Sequence, residues 1–210
     1  MERRRFVGIL ASGVALALTR RASADAVGDL FAEIAKVRAG IKTATANFVQ
    51  ERTIGLLATV VKSDGEMTLV RPDRLRWELK PPDAVTYWIG PEGFAYATPS
   101  GTASVGKQAA GRFAPVLGDM LVLFGGDLEK LRARYDITIA SRSPDTVLHL
   151  VPKTDDVKRA VSSMDLTLGS ELWQMKKVVM AEVNGDKSVI TFSNQKRDVP
   201  VDPARMRPPK

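Results

Sequence analysis

A nucleophile, an acid–base pair or a metal cage would have to be built here from few candidates. The 210 residues include no cysteine and one histidine, His149. That removes thiolate nucleophiles, thiolate zinc sites and disulfides, and makes a Ser-His-Asp device hard to assemble. His149 alternates with Leu148 and Leu150, so it falls on the wetter face of a strand. Gly101-Thr102-Ala103-Ser104-Val105-Gly106-Lys107-Gln108 comes close to a phosphate-binding loop. Gln108 stands where a hydroxyl must hold Mg²⁺, however, and no apolar strand leads into it. Asp155-Asp156 reads as a solvated turn. No stretch has the spacing of a nucleophile elbow, a zinc helix or a calcium loop. No enzyme activity, cofactor or metal is expected.

The formal charge of +7 points at first to nucleic acid or an anionic membrane. Its location argues otherwise. Met1–Ala24 has a basic start (Arg3, Arg4, Arg5), an apolar stretch Phe6–Leu18, and Ala22-Ser23-Ala24 as a small-residue cleavage site. This is the layout of a secretory signal peptide cleaved after Ala24, and its apolar stretch is shorter than the roughly 20 residues of a membrane span. Arg3-Arg4 followed by Phe6-Val7 resembles a twin-arginine export motif, and the same residues also serve as an ordinary basic start, so both routes stay open. The segment carries five Arg and one Glu, leaving about +3 on Asp25–Lys210. Nucleic-acid binding loses its support, and an exported, cysteine-free chain fits a periplasm.

In the remainder, Val27, Leu30, Phe31, Ile34, Val37 and Ile41 recur at helical spacing, predicting an amphipathic helix over 25–41. From Thr45 the period becomes two. Leu75, Trp77 and Leu79 alternate with Arg74, Arg76, Glu78 and Lys80, as in a strand with one wet face. Similar alternation recurs around Met67 and Leu69, Phe94 and Tyr96, Tyr135, Ile137 and Ile139, and Met164, Leu166 and Leu168. Turn residues separate these runs: Ser63-Asp64-Gly65, Pro72-Asp73, Pro81-Pro82-Asp83, Gly90-Pro91, Pro144-Asp145 and Asn184-Gly185-Asp186. The apolar run Val116–Phe124 interrupts the pattern. After it, Asp127 is positioned to cap a short helix bearing Leu128, Leu131 and Tyr135. The reading is a single domain, 25–210, mainly β with helices (α+β): a curved antiparallel sheet, an incomplete barrel, covered by the N-terminal helix and a mid-chain helical lid. Such a sheet either packs a filled core or leaves a cavity for an apolar ligand.

Phe48-x-Gln50, then Gly65-x-x-x-Leu69-Val70-Arg71-Pro72-x-x-Leu75-x-Trp77, then Pro82-Asp83 and the strand end Gly93–Pro99, resemble the periplasmic outer-membrane lipoprotein carrier family, the LolA type. The resemblance implies a half-barrel whose hydrophobic cavity holds acyl chains. It also implies an inner-membrane donor and an outer-membrane acceptor as partners, no nucleic acid, and a monomer. It assigns Arg71 to locking the lid, Leu75 to the cavity mouth and Trp77 to the cavity wall. Phe48, Met67, Leu69, Phe94, Tyr96, Met120, Leu121 and Phe124 complete the expected cargo-facing set. Phe48 and Trp77 would equally serve a plain core. The chain departs from the family at its end, where Ala204–Lys210 carries no aromatic residue. A carrier for a glycolipid or an acyl-linked metabolite, or a lipid-sensing module without transport, is the alternative reading.

Overall fold

Strands with one apolar face, joined by short Pro-, Gly- and Asp-rich turns, pair with their chain neighbours and build a meander. The structure, a computed structural model, describes residues 26–57, 59–105, 114–125 and 128–208. Met1–Ala24 and the stretch Gly106–Gln108 lie outside the described residues. The elements are α1 (26–38), β1 (Thr43–Ile54), β2 (Thr59–Val70), β3 (Arg74–Leu79), β4 (Thr86–Gly90), β5 (Gly93–Thr98), β6 (Gly101–Val105), α2 (Ala114–Gly125), α3 (Glu129–Arg132), β7 (Tyr135–Ser141), β8 (Thr146–Pro152), α4 (Asp155–Lys158), β9 (Val161–Leu168), β10 (Met175–Glu182) and β11 (Lys187–Arg197).

All described strands form one antiparallel sheet of 11, in the order β6-β5-β4-β3-β2-β1-β11-β10-β9-β8-β7. Two meanders, β1–β6 and β7–β11, are joined where the first strand pairs with the last. The sheet curls but keeps two free ends, β6 and β7, so the expected incomplete barrel is what forms. Its inner face and the buried side of α1 (Val27, Leu30, Phe31 and Ile34) share one hydrophobic core with Leu123 and Phe124 of α2. No helix among the described residues is long and apolar enough to cross a membrane.

Several local expectations change. Ser63-Asp64-Gly65 is not a turn but lies inside β2; the chain reverses at Gly55–Leu57 instead. Gly65 pairs with Phe48, and a Cβ there would stand 2.1 Å from Phe48 Cζ and 2.4 Å from the Glu78 carbonyl oxygen. This glycine makes room for a ring. Tyr135, which fits both the short helix and the alternating run of Ile137 and Ile139, heads β7, and Leu128, without a side-chain cap bond, sits at the start of α3. Asp127 lies outside the described residues. Gly101–Val105, already unsuited to a phosphate loop by sequence, is strand β6. Arg76, expected in water, is 9% exposed, with its guanidinium 5.9 Å from the centre of the Trp88 ring.

The C-terminal tail explains that burial. It crosses the outer face of β3 and β4 as a 3-10 turn, Pro203–Met206, capped by the Asp202 carboxylate accepting from Ala204 N. Met206 is buried, and Trp88 Nε1 donates to the Arg205 carbonyl at 2.9 Å. A cleft of about 300 Å³ opens beside it, lined by Arg74, Trp88, Glu92, Phe94, Met206 and Arg207 among others.

Candidate functional site

Pleating sends Ala46 and Phe48 of β1, Met67 and Leu69 of β2, and Leu75 and Trp77 of β3 to the inner face, and all six are buried. Met67 pairs with Trp77 and Leu69 with Leu75. Because β2 carries no side chain at Gly65, the Phe48 ring reaches over it and stacks on Trp77, two strands away, with centroids 3.8 Å apart. Phe192 of β11, opposite Phe48, closes the group edge-on to Trp77 at 6.0 Å. These three rings form an aromatic floor.

The C-terminal turn of α2 closes on that floor. Phe124 lies 5.4 Å from Phe192 and 6.3 Å from Trp77, while Leu123 is 1% exposed. Met120 and Leu121, one turn earlier, are partly buried against the same core. Phe94 is part of a second row on β4 and β5: it stacks with Tyr87 at 5.7 Å and meets Tyr96 at 6.3 Å. The expected cavity residues therefore divide into a closed central group and this half-buried outer row. Space remaining beside Phe124 and between Arg38 and Arg71 amounts to about 20 Å³, roughly the room for one water molecule. At this point of the inner face the end of α2 packs directly on the aromatic floor.

Polar contacts hold α2 in two places. A helix ends with carbonyls that lack intrahelical partners and carry partial negative charge. Arg71 donates to two of them, Gly125 O at 2.5 Å and Phe124 O at 3.1 Å. Arg38, 2% exposed at the end of α1, donates to Leu123 O at 2.9 Å. Burial, followed by the neighbouring charge of Arg71, lowers the Arg38 pKa to about 10. Burial also lowers that of Arg71, while Asp198 acts in the opposite direction. Arg38 was not anticipated from sequence. Its signal was its place one turn after Ile34, on the same helical stripe as Val27, Leu30 and Phe31. Phe192 was likewise missed, although it alternates with Ile190 on the inner face of β11.

Nearer its middle, α2 presents Asp119, 3% exposed. The Tyr135 hydroxyl donates to it at 2.6 Å, Arg134 Nε forms an ion pair with it at 2.8 Å, and Arg134 Nη1 donates to Asp156 at 3.0 Å. Burial raises the Asp119 pKa, opposed by the Tyr135 bond and the Arg134 charge, and burial with the Asp119 charge raises that of Tyr135. His149 lies away from both places, paired with Asp165 at 2.6 Å on a partly exposed face. Among the described residues no three metal-ligating side chains cluster. The arrangement suits apolar contact beneath the end of α2.

Residues 39–87 match the model of the family described as outer membrane lipoprotein carrier protein LolA. No curated protein matches the chain. The fold is similar to that of a DUF1329 family protein from Desulfovibrio piger, at 13% identity and TM-score 0.54 over 88% of this chain and 97% of the other. It is also similar to an uncharacterized conserved protein from Thermus thermophilus, at 11% identity and TM-score 0.53 over 88% and 95%. MucB is a third, at 15% identity and TM-score 0.50 over 88% of this chain and 63% of the other. At such identities these likenesses are likenesses of fold.

Proposed function

We propose, from the match of residues 39–87 to the LolA model and the likeness of fold, that the chain is a divergent LolA-like protein and a non-enzymatic periplasmic carrier. It binds the acyl chains of lipoproteins between its sheet and α2, receives them from an inner-membrane donor and delivers them toward an outer-membrane acceptor. The observation that carries this reading is the cover over the aromatic floor. Phe124 plugs the interior, and the last turn of α2 is held there by three arginine–carbonyl hydrogen bonds. Such bonds satisfy the free carbonyls at the end of α2, and they can be exchanged for others without breaking the helix itself.

Physical necessity supports the same reading. Each acyl CH₂ withdrawn from water contributes about 0.8 kcal/mol, so an acylated protein crosses an aqueous compartment only if its chains are covered. A carrier must also let go, which favours apolar contacts without direction and a cover that closes when empty. Met67 on the floor and Met120 on α2 supply side chains able to refit around different chains. In this account Arg71 is the lock, Leu75 lies at the mouth, and Phe48, Met67, Leu69, Trp77 and Phe124 contact cargo. Phe94 and Tyr96 extend the surface toward β5. Met1–Ala24 acts as the cleaved export signal, and the mature chain works as a monomer.

The test is to purify the protein from its periplasm without detergent and identify co-purified molecules by mass spectrometry. Acylated peptide is the expected finding. A free glycolipid or acyl-linked metabolite would replace the lipoprotein cargo with another, and an empty protein that also fails to take up added lipid would overturn the carrier.

A further inference from the structure

Two arginines meet the end of α2, where a single one would cap it. Arg38 and Arg71 line the same small void with Thr45, Gln195 and Trp173. Their acceptors there are peptide carbonyls. The Nε atoms of both are buried without a hydrogen-bond partner among the described residues, as are those of Arg52, Arg76 and Arg134, but these three have a carboxylate beside another guanidinium nitrogen. Asp198 acts on Arg71 from a distance, but its Oδ1 already accepts from Lys42 N at 2.8 Å. Elsewhere the protein matches its partly buried guanidiniums with carboxylates, Arg52 with Asp186 and Arg134 with Asp119. A buried cation without such a match is costly, because carbonyl dipoles return only part of the lost hydration.

We propose that Arg38 and Arg71 form an anion site for the head of an acyl-chain cargo, a phosphate or carboxylate that takes the place of the α2 carbonyls when α2 leaves the interior. The inference rests on the carrier reading above and names the class of cargo. When α2 moves away, three donor–acceptor bonds open beside an apolar wall. A neutral lipid would fill the wall and leave two buried cations bare. An anionic head accepts from the same Nη donors and offers acceptors to the idle Nε groups, in the bidentate geometry that guanidinium shares with phosphate and carboxylate. A full negative charge also outcompetes the partial charge of a helix end, about half an elementary charge. The cargo head thus unlocks the cover that its chains then replace.

The test compares dioctanoyl phosphatidic acid, dioctanoylglycerol and inorganic phosphate by calorimetric titration of the mature chain. Phosphatidic acid is expected to bind at least about tenfold more tightly than dioctanoylglycerol, with phosphate alone giving no heat at millimolar concentration. In Arg71→Gln, and in Arg38→Gln where that buried change still folds, the ratio between the two lipids falls toward one, and Arg71→Lys retains part of it. Equal affinities in the unmodified protein overturn the anion site and leave the carrier intact. Binding of neither lipid overturns the carrier itself. Phosphate binding as tightly as phosphatidic acid overturns the assignment to a lipid head.

Discussion

The middle of α2 and its C-terminal end are both held by buried polar contacts, but charge is balanced at only one of them. At the middle, the Asp119 carboxylate meets Arg134 and the Tyr135 hydroxyl, with Asp156 taking the second arm of Arg134. At the end, Arg38 and Arg71 face three carbonyls. The balanced contact connects α2 to the β7 side of the open sheet, and the unbalanced one connects it to α1 and the β2–β3 turn. On the carrier proposal, a helix fastened this way is released from its end, where acceptors can be exchanged, and its middle serves as the hinge. Electrostatics thus assigns different duties to two turns of one helix.

The sharpest way to break this comparison is to remove the plug at the unbalanced end. Phe124→Ala is expected to lower stability by about 3–5 kcal/mol in a urea melt while increasing uptake of a fluorescent fatty acid. A loss below about 1 kcal/mol would mean that this end is not packed as described. Next in size is Asp119→Leu, which leaves the Tyr135 hydroxyl without its acceptor and Arg134 with Asp156 alone, and should cost about 2–3 kcal/mol by the same melt. Arg71→Leu should cost less, about 1–2 kcal/mol, because losing two carbonyl bonds is partly offset by relief of its repulsion on Arg38. Equal losses for the two variants would erase the distinction between hinge and latch.

The smallest expected effect is in pH dependence. Burial raises the Asp119 pKa above its ordinary 3.8, so the folded state binds this proton more readily than the unfolded chain. Its contribution to stability therefore grows as pH falls and is lost as pH rises through the raised value. Arg38, even lowered to about 10, stays charged throughout that window. Asp119→Asn should remove this component from stability measured by denaturant melts between about pH 4 and pH 7, and Arg71→Leu should leave it in place. The opposite pattern would assign the titration to the wrong end of α2.

Much of the sheet was legible because alternation is local: Leu75, Trp77 and Leu79 announce β3 without reference to anything distant. Spacing also located α1 and the run that became α2. Ser63-Asp64-Gly65 misled because a glycine signals either a turn or a close approach, and the close approach here involves Phe48, which is remote in sequence. Tyr135 fitted two patterns, helical spacing after Leu131 and alternation with Ile137, and its pairing with Pro152 on β8 places it in the sheet. The site was legible only in its family-like half. Arg71 and Trp77 stand in a recognisable string, whereas Arg38 acquires meaning from Leu123, 85 residues away. Phe192 does so from the gap at Gly65. Partners set by tertiary folding leave no pattern in their own neighbourhoods.

The central claim is that acyl chains enter by displacing α2. Since the chain has no cysteine, Gly118→Cys on α2 and Lys177→Cys on β10 provide two unique and exposed labelling points. A side chain at Gly118 meets nothing within 4 Å. Spin labels at this pair should report one short, narrow distance distribution without lipid and a longer, broader one at saturation with dioctanoyl phosphatidic acid. An unchanged distribution with the lipid demonstrably bound would contradict the account.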